Sequence, residues 1–159
     1  MTPHARDRLI VALDVPDTDA ALTVVRQLGE ICGFYKVGLE LVMNGGIELV
    51  HELKKMGKRV FVDLKLLDIG NTVERATANA AKLGANFLTV HGLDRKTVRA
   101  AVAGRSDTGL KLLAVTVLTN LTQDDLKEQG IDMAPSDLVL HRARIAHEAG
   151  FDGVVASGH

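Results

Sequence analysis

The sequence predicts an α/β protein whose parallel strands belong to a (β/α)8 barrel of the TIM type, with about six of the eight strands present. Three observations support this class: short β-branched runs alternate with helical segments, polar strand residues gather at carboxyl ends, and glycine marks the return from helix to strand. The chain has 159 residues, of which 47% are hydrophobic and 25% charged, as in a globular protein with one core. We therefore expect a single, incomplete barrel domain over residues 1–159.

Six short runs rich in apolar and β-branched residues are predicted to be strands. They are Arg8–Val15, Gly33–Val37, Arg59–Lys65, Asn86–His91, Leu110–Val117 and Asp152–Ala156. Helices are predicted between them from apolar residues at helical spacing. They are Thr18–Gly29, Gly46–Met56, a helix from Asn71-Thr72 to Gly84, Asp94–Val102 and Ser136–Ala149. Gly29, Gly57, Gly84 and Gly150 each lie between a helix and the next strand, where a left-handed turn costs little.

This alternation fits an open doubly wound sheet as well as a barrel, and the polar residues of the strands separate the two. In a barrel, polar groups on the inward faces should occur only near the carboxyl-terminal mouth. The predicted inward faces are Ile10, Ala12 and Asp14; Phe34 and Lys36; Phe61, Asp63 and Lys65; and Phe87, Thr89 and His91. A doubly wound nucleotide-binding sheet would have a glycine-rich turn after its first strand, and Leu13-Asp-Val-Pro-Asp17 contains no glycine. The barrel is therefore favoured.

Four charged residues, Asp14, Lys36, Asp63 and Lys65, are predicted to meet at this mouth. Asp63 and Lys65 are two positions apart on one strand, so their side chains leave the same face. Because burying unpaired charges is costly, such a pair is either a structural ion pair or part of a functional array. Lys36 and Asp14 reach the same mouth from neighbouring strands, which favours the functional interpretation.

Other polar residues are less informative. Asp68 lies between the third strand and the next helix, where a helix cap and a functional role are equally compatible with the spacing. His91 is either a satisfied polar residue at the mouth or a substrate contact, and the first is favoured because no partner motif accompanies it. His141 and His147 are interpreted as surface residues of a helix. The basic run Lys54–Arg59 is interpreted as a solvated helix end, and no Cys/His pattern indicates zinc.

The bulk composition argues against several partners. A net charge of -1, 3% aromatic residues and the absence of tryptophan do not favour a nucleic acid or an anionic membrane. Cys32 is the single cysteine, which excludes an intrachain disulfide. With no leader-like or long apolar segment, we expect a cytoplasmic protein that binds a small molecule.

The segment Phe61-Val-Asp-Leu-Lys-Leu-Leu-Asp-Ile-Gly-Asn-Thr72 resembles the D-x-K-x-x-D-I-x-N-T signature of orotidine 5'-monophosphate decarboxylases. Further agreement comes from Ala12-Leu-Asp14, Tyr35-Lys-Val-Gly38, Thr89-Val-His91, Thr116-Val-Leu-Thr119 and Gly153-Val-Val-Ala-Ser157. Gly70 departs from the pattern, since many members have proline there. A related group of metal-dependent sugar-phosphate decarboxylases and aldolases shares the motif but holds magnesium partly through a glutamate on strand two. Lys36 occupies that strand here, which disfavours the metal-dependent branch.

The resemblance implies cofactor-free and metal-free decarboxylation of orotidine 5'-monophosphate. Lys65 would donate a proton to C6 as carbon dioxide leaves, Asp63 would lie near the substrate carboxylate, and Lys36 and Asp14 would bind the ribose. The resemblance assigns the remaining site residues to substrate binding: Asp68, Ile69, Asn71, Thr72 and the pyrimidine-contacting Thr119.

In this family the segment containing Asp68 and Thr72 serves the neighbouring subunit, so a homodimer with shared active sites is implied. Two further βα units with the phosphate-binding residues are expected beyond His159. A non-catalytic barrel fragment that acts as a folding or assembly module stays open as an alternative.

Overall fold

A computed structural model describes residues 8–157, so the first seven and last two residues of the predicted domain lie outside the described part. Its six parallel strands form one sheet in sequential order. They are β1 (Val11–Ala12), β2 (Phe34–Gly38), β3 (Arg59–Leu66), β4 (Phe87–His91), β5 (Lys111–Val115) and β6 (Gly153–Val155). The helices are α1 (Thr18–Leu28), α2 (Leu39–Val42), α3 (Gly46–Lys55), α4 (Gly70–Lys82), α5 (Arg95–Arg105), α6 (Gln123–Glu128) and α7 (Pro135–Ala149).

The sequential strand order is that of a barrel wall, because a doubly wound sheet reverses its order at a switch point. All predicted strands and helices are present, with shifted ends. The main difference is at β1, which spans only Val11–Ala12 of the predicted Arg8–Val15, although the Leu13 amide still donates to the Lys36 carbonyl at 3.0 Å. β1 has a single neighbour within the described residues, so one edge of this strand lacks backbone partners there. The short helices α2 and α6 were not predicted, because neither is long enough to show a helical period.

The core lies between the sheet and the helices. It is built from the outward faces of the strands and the apolar stripes of the helices, including Val62, Leu88 and Leu112, which are at most 1% exposed. The four glycines predicted at the αβ turns, Gly29, Gly57, Gly84 and Gly150, all have positive φ angles of 50° to 94°. These turns confirm the predicted helix ends.

Inward-facing phenylalanines cover the lower part of the lumen side. The rings of Phe34 and Phe87 have centroids 5.2 Å apart, and those of Phe61 and Phe87 are 5.9 Å apart in an edge-to-face arrangement. Each ring precedes a polar residue of the same strand face by two positions, namely Lys36, Asp63 and Thr89. The predicted change from apolar to polar along the inward faces is therefore confirmed for these three strands.

Helices α4 and α5 approach each other closely through Gly104. A Cβ atom at this position would lie 2.1 Å from the Glu74 carbonyl oxygen, so only glycine fits without moving the backbone. This contact fixes α5 against α4, and with it the loop that connects β3 to α4.

The interpretation of Lys54–Arg59 as a solvated helix end is wrong for Lys58, which is only 8% exposed. Its ammonium group donates to the carbonyls of Gly29 at 2.8 Å and Cys32 at 3.3 Å, and lies 3.4 Å from a Glu30 carboxylate oxygen. Lys58 therefore satisfies carbonyl groups at the end of α1 from inside the fold. His141 and His147 are exposed on α7, as predicted. Within residues 8–157, no helix combines the length and apolar character that crossing a bilayer requires.

Candidate active site

The site is organised around an irregularity in the pairing of β3 with β4. Val62 pairs with Leu88, but the next pair joins Leu66 to Val90. Four steps along β3 therefore correspond to two along β4, and the segment Asp63–Lys65 forms a bulge with two extra residues. An even number of inserted residues preserves the alternation of strand faces, so both charged ends of this segment still point to the mouth.

Lys65 has a left-handed backbone conformation with a φ angle of 49°. Such a conformation costs a non-glycine residue about 1–3 kcal/mol and persists where the surroundings hold it. The Lys65 amide donates to Thr89 Oγ1 at 2.9 Å, and Lys65 Nζ donates to Asp63 Oδ2 at 2.9 Å. The lysine is thus fixed at its backbone and at its ammonium group.

The four predicted charged residues form one alternating network. Lys36 Nζ lies 2.9 Å from Asp14 Oδ1 and 3.5 Å from Asp63 Oδ2, and Asp63 in turn binds Lys65. The side chains of Asp63 and Lys36 are 13% and 19% exposed, whereas Lys65 is 39% and Asp14 66% exposed. The predicted proximity of the four groups is confirmed, and the central pair of the network is the most buried.

Asp63 is ionised in this setting. Burial alone would raise the pKa of its carboxyl, but hydrogen bonds from Lys65 and Thr89 and the charges of Lys65 and Lys36 outweigh burial and lower the pKa below its ordinary value. The network therefore presents one fixed negative charge between two ammonium groups over the neutral pH range.

Two residues of the site were not recognised from the sequence. Thr89 is 1% exposed and its hydroxyl donates to Asp63 Oδ1 at 2.7 Å. Gly38 ends β2, where an added Cβ would lie 3.2 Å from Lys36 Nζ and 3.6 Å from Asp14 Oδ1. The motifs Thr89-Val-His91 and Tyr35-Lys-Val-Gly38 contained both residues, but inward position alone did not show which side chain each one contacts.

His91 was predicted to be a satisfied polar residue, and this is wrong. Its Nδ1 atom is buried and has no hydrogen-bond partner among residues 8–157. Burial and the nearby positive charges of Arg142 and Lys65 lower the pKa of His91. Arg142 is itself only 9% exposed and donates to the Thr116 carbonyl at 2.6 Å, and burial lowers the pKa of its guanidinium.

Asp68 is exposed in the loop between β3 and α4 and does not cap the helix. Helix α4 begins at Gly70 after Ile69, and no side chain caps its first turn. Asp68 Oδ1 accepts instead from the adjacent Ile69 amide at 2.6 Å. The helix-cap interpretation of Asp68 is therefore wrong.

The other predicted residues of this loop are exposed as well. Ile69 is 73% exposed, and Asn71 and Thr72 are exposed on the first turn of α4. Asp68 and Ile69 border an open cavity of about 570 Å³ whose far wall is the start of α5. Among the described residues, none of these side chains shares an ion pair or hydrogen bond with the charged network.

Thr119 lies on the opposite side of the mouth, in the loop after β5. It is exposed and borders a groove of about 310 Å³ together with Leu118, Leu121, Val139 and Ser157. A small apolar cluster of Val117, Leu126 and Leu138 supports the floor of this groove. Among the described residues, the Thr119 side chain shares no hydrogen bond or ion pair with the charged network.

Metal-ligating side chains are not grouped in the part of the chain that the structure describes. No set of three or more His, Cys, Asp or Glu residues there could hold a metal ion together.

The fold and the site define the class of this protein: a TIM-barrel wall with an acid–base array at the carboxyl ends of its strands. Residues 7–159 match the family model described as Orotidine 5'-phosphate decarboxylase / HUMPS family, and the chain belongs to that family.

Relatives and solved structures agree with this assignment. The chain is 54% identical over 155 residues to an orotidine 5'-phosphate decarboxylase of Rhodopseudomonas palustris (strain BisB5), covering 98% of this chain and 66% of that protein. It is 52% identical over 152 residues to an orotidine 5'-phosphate decarboxylase of Methylorubrum extorquens (strain PA1), covering 96% of this chain and 65% of that protein. The crystal structure of orotidine 5'-phosphate decarboxylase from Lactobacillus acidophilus superimposes with a TM-score of 0.86 at 38% identity, covering 94% of this chain and 70% of that one. This chain thus spans about two thirds of the length of the curated relatives it matches.

Proposed function

We propose that the protein is a carboxy-lyase that converts orotidine 5'-monophosphate to UMP in de novo pyrimidine biosynthesis, by cofactor-free protonation at C6. The observation that carries this proposal is the alternating network of Asp14, Lys36, Asp63 and Lys65 at the mouth of the barrel wall. Relatives with 54% and 52% identity bear the name of this activity.

In the proposed reaction, the bond between C6 and the carboxylate breaks and carbon dioxide leaves. The electron pair of the broken bond remains at C6. Lys65 then supplies the proton, since its ammonium group is the more exposed cation of the network and is held against Asp63 at 2.9 Å. After proton transfer the lysine is neutral and regains a proton from solvent. The reacting carbanion has no electron sink in a cofactor, so charges fixed in advance must stabilise it.

Asp63 acts in this scheme through its fixed negative charge. Near the substrate carboxylate, it disfavours the bound substrate more than a transition state in which carbon dioxide is departing. Lys36 and Asp14 bind the ribose and balance the charge of the network. The lowered pKa of Asp63 supports this role, because the carboxylate must stay ionised beside an anionic substrate.

We further propose a homodimer with shared active sites, in which Asp68, Ile69, Asn71 and Thr72 contact the substrate of the neighbouring subunit. Their exposure, and the absence of hydrogen bonds or ion pairs to the network of their own chain among the described residues, support this assignment. Thr119 would contact the pyrimidine from the β5 side. The proposal places the protein in the cytoplasm, as one barrel domain, without nucleic-acid or membrane partners.

The assignment is tested by comparing Lys65→Ala with Lys55→Ala in the natural protein that carries this sequence. Lys55 is a 72% exposed lysine whose partner is Glu52 on the same helix, so it controls for the loss of a lysine in general. We expect Lys65→Ala to abolish the conversion of orotidine 5'-monophosphate to UMP while UMP binding, measured by calorimetry, largely survives. Near-normal turnover in Lys65→Ala would refute the proposal.

The metal-dependent sugar-phosphate branch is tested separately with a chelator. Because Lys36 is paired with both Asp14 and Asp63, we expect activity to be unchanged after dialysis against EDTA. Loss of activity on chelation, restored by magnesium, would favour the metal-dependent branch instead.

The shared site is tested by mixing inactive Lys65→Ala and inactive Asp68→Ala subunits. If Asp68 serves the neighbouring subunit, a mixed dimer contains one site with both residues intact, and part of the activity returns. Lack of recovery in dimers shown by native mass spectrometry to be mixed would place Asp68 in the site of its own chain or outside the site.

A further inference from the structure

Thr89 joins the carboxylate and the backbone of the network through a single hydroxyl. Its Oγ1 donates to Asp63 Oδ1 at 2.7 Å and accepts from the Lys65 amide at 2.9 Å. The side chain is 1% exposed, so water does not compete for either bond. A hydroxyl has one proton to give, and here it is directed to Asp63 because the Lys65 amide occupies an acceptor position.

These two bonds act where β3 leaves its regular pairing. In the bulge, Lys65 is not paired with a β4 residue in the strand ladder, and its backbone has a left-handed φ of 49°. Without the Thr89 hydroxyl, this partly buried amide would lose its acceptor, and the left-handed conformation would lose the contact that compensates its cost. The Thr89 hydroxyl supplies that acceptor.

We propose that Thr89 is a positioning residue that fixes the left-handed backbone of Lys65 and the carboxylate orientation of Asp63, and so sets the geometry of proton donation. The effect of Thr89 on proton donation rests on the proposed decarboxylation. Its effect on the geometry of Lys65 and Asp63 does not. Thr89 acts through Asp63 and Lys65 and is not itself placed on the substrate.

Thr97 is also buried and its hydroxyl donates to Asp94 Oδ2 at 2.8 Å, but no backbone amide donates to that hydroxyl among the described residues. Two other buried threonines have hydroxyls that contact no carboxylate there. Thr77 on α4 is fully buried, and its Oγ1 has no hydrogen-bond partner among residues 8–157. Thr116 is equally buried, and its hydroxyl donates to the Val155 carbonyl, which ties β5 to β6. Thr77 therefore offers a matched control in which loss of a buried hydroxyl breaks no contact.

The test compares Thr89→Val, which keeps the shape and removes the hydroxyl, with Thr89→Ser, which keeps the hydroxyl, and with Thr77→Val. NMR titration of the Asp63 carboxyl tests whether Thr89 holds this carboxylate in place. The charged groups of this network that face Asp63 are Lys36 and Lys65, with Asp14 beyond Lys36, and all three are unchanged in these variants. We expect Thr89→Val to raise the pKa of Asp63, and the other two variants to leave it close to the unsubstituted value.

Steady-state kinetics tests the effect of Thr89 on proton donation. We expect kcat of Thr89→Val to fall roughly ten- to hundredfold, the range for a lost hydrogen bond to a charged group, with a much smaller change in KM. Thr89→Ser should recover most of kcat, which a purely space-filling role of Thr89 would not predict. Thermal unfolding of each variant identifies any general loss of structure.

Three outcomes separate this inference from the proposed function. An unchanged titration of Asp63 in folded Thr89→Val overturns the positioning role whether or not the protein is active. A shifted titration with normal kcat overturns its catalytic consequence. Absence of turnover in the unsubstituted natural protein would instead refute the proposed function, while the titration would still decide whether Thr89 holds the Asp63 carboxylate in place.

Discussion

On the β1–β4 side of the mouth, Asp63 lies within 3.5 Å of three polar partners, Lys36, Lys65 and Thr89, and is itself only 13% exposed. On the β5–β6 side, Thr119 is exposed beside a largely apolar groove and takes part in no hydrogen bond with this network among the described residues. The charged groups of the first region are already held in place by one another. The polar side chain of the second region, Thr119, has no partner in that network within residues 8–157. Under the proposed function, proton transfer depends on the β1–β4 side, whereas Thr119 on the β5–β6 side serves substrate binding alone. Substitutions on the two sides should therefore have different effects.

The comparison predicts its largest effect on activity at Asp63. Asp63→Asn removes the negative charge between the two ammonium groups, and we expect kcat to fall about 10²–10³-fold or more, the range for loss of one preorganised electrostatic group. The measurement is turnover of orotidine 5'-monophosphate at saturating substrate. A decrease smaller than tenfold would show that the β1–β4 network does not organise the chemistry.

Asp63 also predicts a pH dependence of stability. Its folded-state pKa lies below the ordinary value of 3.8, so its contribution is complete above that value and is lost as the pH falls through the folded-state pKa. The free energy of unfolding, measured with denaturant between about pH 5 and pH 2, should fall more steeply with decreasing pH in the unsubstituted protein than in Asp63→Asn. Equal slopes would mean that Asp63 titrates normally in the folded state.

A smaller effect is expected from Gly38→Ala. The new methyl group would lie 3.2 Å from Lys36 Nζ, so the ammonium group must move by a few tenths of an ångström. Because the Lys36 side chain is flexible, we expect kcat/KM to fall by roughly tenfold, equivalent to about 1.4 kcal/mol, rather than to vanish. Gly33→Ala, at a glycine whose added Cβ meets nothing within 4 Å, is the control.

On the other side of the mouth, Thr119→Val should act mainly on KM. Loss of one hydrogen bond to a neutral ligand group corresponds to about 0.5–1.5 kcal/mol, or roughly two- to twelvefold in KM, with kcat little changed. A fall in kcat as large as that of Asp63→Asn would abolish the distinction between the two sides.

The smallest expected effect is on stability, at Gly70. Its added Cβ would meet only Ala100 Cβ at an ordinary 3.7 Å, so Gly70→Ala should stabilise the protein by about 0.4–1 kcal/mol by restricting the unfolded chain. Gly104→Ala in the same helix pair should instead destabilise the protein, because its Cβ would lie 2.1 Å from the Glu74 carbonyl oxygen. Denaturant unfolding of both variants measures the difference, and destabilisation by Gly70→Ala would contradict it.

The strand order and the meeting of the four charges could be predicted because they depend on alternation along each strand, which the sequence displays directly. The bulge at Asp63–Lys65 could not, since an insertion of two residues leaves the alternation unchanged and therefore leaves no mark in the pattern. Lys58 was misjudged for a related reason: its burial depends on carbonyl groups at the end of α1, which no pattern of side chains reveals. The left-handed backbone of Lys65 is likewise fixed by a hydroxyl from another strand.

The phenylalanine rings beneath the network have a consequence for its field. Phe34, Phe61 and Phe87 place hydrocarbon two positions before Lys36, Asp63 and Thr89 on the same strand faces, while the outer members of the network, Lys65 and Asp14, are 39% and 66% exposed. A charge between a weakly polarisable floor and an open mouth sends its field lines preferentially through the mouth. The low polarisability of the rings therefore strengthens the electrostatic potential of the network on the side where a ligand would enter the barrel.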